Sequence, residues 1–443
     1  MATSSKVRLE ASQQPQFRVK GITTESAEKT SQLLQLNHEK HHIFFNRSGF
    51  HNHIVHHLLT IYALGASPQE IQHGYDINAT YQRPPEPLKD SIVNDMHKPD
   101  RFKTYLGKEQ YYHDFLVFFQ EEIEAKTWQT VLNEYVFAGD ERADDLLARL
   151  YGGFLHPIIH LGFGIEFEQP AIIAEALAQA AVHDEWMARL FAPCEAAAEK
   201  NRGKGNKKTI AELMEEARKN EKLKNAAHWD DGNKVRDGVL GRAAEEMVQL
   251  ASQYTVDEER LEEQTAEMIN AAVYFTSAAQ RPPHQIKFDF YYIHCLNSSI
   301  FFSTFLNLPS STLSNKSKRR LLEYKIWTDI AMYTSRHCPA LLPDEIKSYT
   351  PKQGQSSWDD IFHRVNKFDD DGHASKLVRA LAHGEEVCKQ YEAKDGFPVK
   401  GDMWRTLGHM AIDSVEAGEP HWVRSAGFDE AWESVPLREG ARL

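Results

Sequence analysis

The chain has 443 residues, 41% hydrophobic and 26% charged, with a net charge of −13. That is the balance of a globular protein able to bury a core, and with no basic patch of the needed size it excludes a nucleic-acid partner. No apolar run reaches the roughly 18 residues of a membrane helix, and the polar start MATSSKVRLEASQQPQFRVKG lacks a signal-peptide core, so neither a membrane nor a secreted setting is expected.

Residues 1–30 are polar and read as a flexible segment, with a short strand near 17–22. A helix begins at 31–36. Arg47-Ser48-Gly49 turns the chain into FHNHIVHHLLTIYALG, residues 50–65, a run apolar nearly all round and so a buried helix. Ser67 is an N-cap with Pro68 at the first position of the next helix. Helices follow at 111–125, 127–137 and 144–151. In GGFLHPIIHLGFGIEF, Pro157 suits a first helical position, which puts His156 at or near an N-cap. An alanine-rich helix covers 171–190. Residues 197–240 are highly charged and read as a solvated insertion with one amphipathic helix. Helices resume at 242–253, 258–279, 287–306, 318–335, 357–365 and from the DDDGHASK run onward. Strand patterns are scarce. The expected fold is mainly α: a single large helical domain over 31–443, with a charged insertion at 197–240.

Histidine carries the chemical signal. There are 22 histidines, many on apolar helices. His53/His57 and His156/His160 are i, i+4 pairs, able to chelate one metal ion if helical. His294 and His373 sit in two further helices. An imidazole-rich set with no nearby cysteine suits iron, zinc, copper or nickel and not magnesium or calcium. The competing explanation is hydrogen-bonded core histidines. Cys194, Cys295, Cys338 and Cys388 are far apart, without CxxC spacing, and read as reduced thiols in an intracellular protein.

Two lysines lie in helical runs. Lys376 is one turn after His373. Either its stem snorkels past an apolar face to water, or it is desolvated, with a lowered pKa and an amine able to add carbon dioxide. Lys325 invites the same question, but Glu323 and Asp329 offer it ordinary ion pairing. No GxGxxG strand–helix junction, P-loop or GxSxG elbow occurs, so no nucleotide-binding unit or serine hydrolase is indicated.

GFHNHIVHHLLTIYALGASPQEIQHGYDINATYQRP, GGFLHPIIHLGFGIEFEQP, HCLNSSIFF and DDDGHASKLVRALAHGEEVC resemble the questin oxidase-like family of fungal polyketide pathways, over about residues 37–420. Members are Baeyer–Villiger oxidases that open an anthraquinone ring with NADPH as reductant. One is a mononuclear non-haem iron dioxygenase with four histidines and a carboxylated lysine as ligands. Carried onto the matching motifs, the resemblance implies Fe(2+) held by His53, His156, His294, His373 and Lys376, and it selects Lys376 over Lys325. His57 and His160, one turn behind a ligand, become candidates for catalytic or substrate-facing roles. The runner-up ligand set is the two i, i+4 pairs.

The implied reaction is oxidative C–C ring cleavage of a polyphenolic anthraquinone by O2 in an aromatic-lined pocket. A separate reductase would supply electrons from NADPH. Two alternatives stay open: an NADPH-dependent Baeyer–Villiger monooxygenase of the flavin type, and a non-catalytic helical scaffold. The expected location is cytoplasmic, or peroxisomal through the C-terminal Ala441-Arg442-Leu443.

Overall fold

Ser67 and Pro68 start a helix as their chemistry dictates. Ser67 Oγ accepts from the Glu70 amide at 3.3 Å, and Glu70 accepts from the Ser67 amide at 2.8 Å, closing a capping box at the head of Pro68–Ala79. Asp140 caps Glu141–Leu150 by a single bond, accepting from the Ala143 amide at 2.9 Å. The computed structural model describes residues 1–354 and 356–439, so the C-terminal tripeptide lies outside the described residues. Within them the chain is mainly α. The one sheet among the described residues is a parallel pair, Phe288–Asp289 beside Trp422–Val423. No helix there is long and apolar enough to cross a membrane.

The helices group into two compact units, each assembled from separate stretches of chain. The first comprises 1–188, 307–314 and 366–376. In it, Ile54–Ala63 packs on Thr24–Lys40, Pro68–Ala79 and Gly152–Glu166, while Pro170–Val182 packs on Gly152–Glu166 and Tyr112–Lys126. Every residue of Ile54–Ala63 is buried, as its all-round apolar surface requires. The alanine-rich helix is shorter than its composition suggests. It stops at Val182 because His183 turns extended, with ψ 162°.

Residues 1–30, expected to be flexible, hold fixed partners. The Val7, Arg8 and Leu9 amides donate to Gln35, Gln169 and Ser31, each at 2.8 Å, and Val7 and Leu9 are buried. Residues 17–22 form no strand, and Thr24–Lys40 starts earlier than periodicity alone suggested, because Thr23 caps it.

The second unit comprises 189–306, 315–365 and 377–443. Its long helices are Leu261–Ala278, Asn315–Ser335 and Met403–Glu416. The charged stretch 197–240 is part of this unit and not a loose insertion. The expected amphipathic helix is Ile210–Lys219, and its Leu213 and Met214 are fully buried against Asn315–Ser335 and Leu261–Ala278. Its charges face outward while one apolar stripe enters the core. Lys325 makes the expected ion pair with Asp329, and both side chains are buried.

Candidate metal centre

Three histidines of the first unit converge. One ring nitrogen from each of His53, His156 and His373 lies within 4.8 Å of the other two. The backbone explains how. His53 is the N-cap of Ile54–Ala63, with φ −100° and ψ 1°, and is not inside the helix. His156 follows a left-handed turn: Gly153, Phe154 and Leu155 have φ of 51°, 54° and 69°, and the right-handed helix begins after them. Left-handed Phe154 and Leu155 each cost about 1–3 kcal/mol of strain, which the surrounding packing must offset. Gly153 is required on a second count, because a Cβ there would lie 2.5 Å from His183 Cε1 and 2.8 Å from His51 Nε2. His373 opens the helix His373–Cys388.

The ring orientations are fixed from behind. His156 Nδ1 donates to the Gly153 carbonyl at 2.6 Å. His373 Nδ1 is bonded to Asp371 Oδ1. His53 Nδ1 lies 2.8 Å from Asp371 Oδ2, although off the line of an aligned hydrogen bond. The opposite nitrogens of His53 and His156 face each other, Nε2 to Nε2 at 2.7 Å. Metal-binding histidines have this arrangement: the outer ring nitrogen is tied to a carbonyl or carboxylate and the inner lone pair is aimed inward. His51 stacks on His156 at 3.8 Å with 7° between the planes, and its Nε2 meets His183 Nε2 at 2.8 Å.

Burial sets the protonation. It pushes the His53 pKa down, and His373 down to about 3, against the opposing pull of Asp371. These rings are neutral near pH 7, as ligands must be. Asp371 is held well below the usual carboxylate range; the His373 and His53 rings stabilise its anion against the opposing effect of burial. Its neighbour Asp370 is raised to about 7 by burial and by Asp371, while it accepts from the Gly372 and Ala374 amides. Gly372, with φ 88°, lets this loop pass His57, where a Cβ would come within 2.7 Å of the His57 Cβ.

Lys376 lies one turn into the same helix. It is 4% exposed, and desolvation lowers its pKa to about 8. No carboxylate among the described residues forms an ion pair with it; Asp371 and Asp370 act on it only through their charge.

The converging set takes one member from each i, i+4 pair and adds His373. The pairs do not act as chelates, since His53 is outside its helix and His156 is at the start of its own. His57 is buried, with Nδ1 3.2 Å from Asn78 Nδ2. His160 bonds Glu175 at 2.7 Å and His56 at 3.2 Å. His294 belongs to the second unit, where it is fully buried and its Nδ1 lies 2.6 Å from the Phe290 carbonyl. Sequence reasoning passed over Asp371, Glu175, His51 and His56. The acidic run directly before His373 was the available signal for Asp371. Glu175 lay in an alanine-rich helix and offered none.

The family model described as questin oxidase-like matches residues 50–381. The chain belongs to this family. It is 42% identical to a Baeyer–Villiger monooxygenase of Cryptosporiopsis sp., over 98% of this chain and 99% of that protein. It is 38% identical to a questin oxidase of Aspergillus terreus, over 98% of both chains. The questin oxidase of Aspergillus fumigatus is 37% identical, over 98% of this chain and all of that protein. This questin oxidase-like chain is therefore an oxidoreductase. Its matched region contains all three converging histidines, His294 and Lys376.

Proposed function

We propose that this chain catalyses oxidative C–C cleavage of an anthraquinone ring with O2 in fungal secondary metabolism, using Fe(2+) held by His53, His156 and His373. The observation that carries the reading is the convergence of those three imidazoles with their outer nitrogens engaged from behind. The donor set fits the metal: imidazole nitrogens from three buried side chains, with a carboxylate behind two of them to raise their basicity. The family motif adds His294 and Lys376. His294 rests on that motif alone. For Lys376 there is further support: it is buried one turn after His373, and a cation held by that histidine would disfavour its ammonium form. A carbamate formed from its amine and carbon dioxide reverses the sign of its charge.

The bound iron would supply the site at which O2 reacts with the electron-rich ring. The chain's residues do the rest. Asp371 fixes the His53 and His373 rings, and the Gly153 carbonyl fixes His156. Burial keeps water and stray protons from the reacting centre. Electrons come from NADPH through a separate reductase. What supports that division is that the sequence has no GxGxxG strand–helix junction of the dinucleotide-binding kind.

The test is metal analysis of anaerobically purified protein, followed by O2 uptake with questin. About one iron per chain, with a ring-opened product, is expected. Metal-free protein that turns over equally well overturns the iron assignment. Iron-loaded protein that leaves questin intact overturns the substrate class.

A further inference from the structure

The bonds around His160 decide where its neighbour's proton sits. His160 Nε2 is 2.7 Å from Glu175 Oε2, and Nδ1 is 3.2 Å from His56 Nε2. Glu175 is held ionised, its pKa lowered to about 2, because its bonds to His160 and His38 outweigh burial. A carboxylate only accepts, so His160 carries its proton on Nε2. With His160 a neutral imidazole, its Nδ1 is a lone pair and His56 donates to it from Nε2. A neutral imidazole has one N–H, which leaves His56 Nδ1 as a lone pair.

That lone pair is buried and has no hydrogen-bond partner. The ring bearing it is fully buried, stacked on Phe163 at 5.3 Å, with its centroid 5.8 Å from that of His53 and 6.1 Å from that of His156. Thr60, four residues on, shares its helix face, at about 5–6 Å between Cβ atoms. Thr60 Oγ1 is likewise buried without a partner. Two such orphans one turn apart on one helix, the first in the ring beside His53 and His156, call for a partner that donates to one and accepts from the other. A hydroxyl does both. A methoxy group cannot donate, and neither can a carbonyl.

We propose that His56 Nδ1, with Thr60 Oγ1, recognises a hydroxyl of the aromatic substrate, and that Glu175, acting through His160, is the positioning residue that keeps this nitrogen an acceptor. The proposal rests on the anthraquinone reading above. The opposite side of the carboxylate braces it: His38 Nδ1 reaches Glu175 Oε1 at 2.5 Å, and Gln120 Nε2 lies 2.8 Å from His38 Nε2.

The test uses the iron-loaded full chain without O2, titrated with 1,8-dihydroxyanthraquinone and its dimethoxy analogue. The wild type should bind the dihydroxy compound roughly tenfold more tightly. His56→Phe keeps a flat ring without the acceptor and should bring the ratio to about one, with Thr60→Val intermediate. In parallel, 15N spectra of histidine-labelled protein should show His56 Nδ1 unprotonated, and Glu175→Gln should mix the two tautomers. Binding of the dihydroxy compound with a wild-type ratio near one overturns the proposal and leaves the function standing, as when water fills the place. A protonated Nδ1 in the wild type also overturns it. Failure of both compounds to bind overturns both readings.

Discussion

Two buried lysines are handled in opposite ways. Lys325 is fully buried, with Asp329 four residues on and the Phe302 ring 5.9 Å away. Its charge is met by a partner on its own helix. Lys376 is buried almost as deeply, but Asp370 and Asp371 act on it only at a distance, and its pKa falls to about 8. A lysine buried with a carboxylate is a structural ion pair. One buried without a partner is a group whose ammonium form the fold has made less favourable than in water.

The largest effect should come from the unpaired lysine. Lys376→Arg keeps the charge and the bulk but cannot add carbon dioxide. It should lose iron and turnover as completely as Lys376→Ala, with the fold intact by circular dichroism. If Lys376→Arg keeps wild-type iron and rate, the two lysines differ in nothing that matters for activity. Lys325→Met should instead strand the Asp329 carboxylate. A loss of about 3–5 kcal/mol in urea unfolding is expected, and Lys325→Met with Asp329→Leu should recover most of it. A smaller effect is expected at Asp371, which sets two rings from behind. Asp371→Asn should weaken iron binding by about 10–100-fold, read by competition with a chelator. A change under twofold removes Asp371 from the site.

The sequence made much of this legible. Ser67 announced its helix start because capping is a local interaction, whereas the helix that Asp140 caps was expected only from 144. The placement of His156 near an N-cap followed from Pro157, although the left-handed turn at 153–155 was hidden: Phe154 and Leu155 are not residues that favour positive φ. The His53/His57 pairing failed as a chelate because helix periodicity was extended by one residue to a position that is a cap. Asp371 and Glu175 were illegible for a different reason. A carboxylate's partner is chosen by packing, and Glu175 meets His38, 137 residues away, and His160, 15 away. The charged stretch 197–240 was read as solvated because composition averages over faces, and one buried stripe, Leu213 and Met214, is enough to anchor it.

Changing pH should act on Lys376 and leave Lys325 untouched. Carbon dioxide adds to a free amine and not to an ammonium. Lys376 has its pKa lowered from 10.5 to about 8, so in metal-free protein the amine fraction rises as pH rises through that value. From pH 6.5 to 8.5 it grows by about 25-fold for a pKa near 8. For an ordinary lysine the amine is scarce at both values. The sign is fixed: acid slows carbamate formation and base speeds it. Metal-free protein, given iron(II) and a fixed concentration of dissolved carbon dioxide, should recover bound iron about 25-fold faster at pH 8.5 than at pH 6.5. Omitting carbon dioxide should abolish the recovery at both. Lys325, held by Asp329, should leave the profile unchanged, so Lys325→Met with Asp329→Leu should trace the wild-type curve. A flat profile, or recovery indifferent to carbon dioxide, would show that Lys376 acts as an amine or an ammonium and that the anionic ligand must be sought elsewhere.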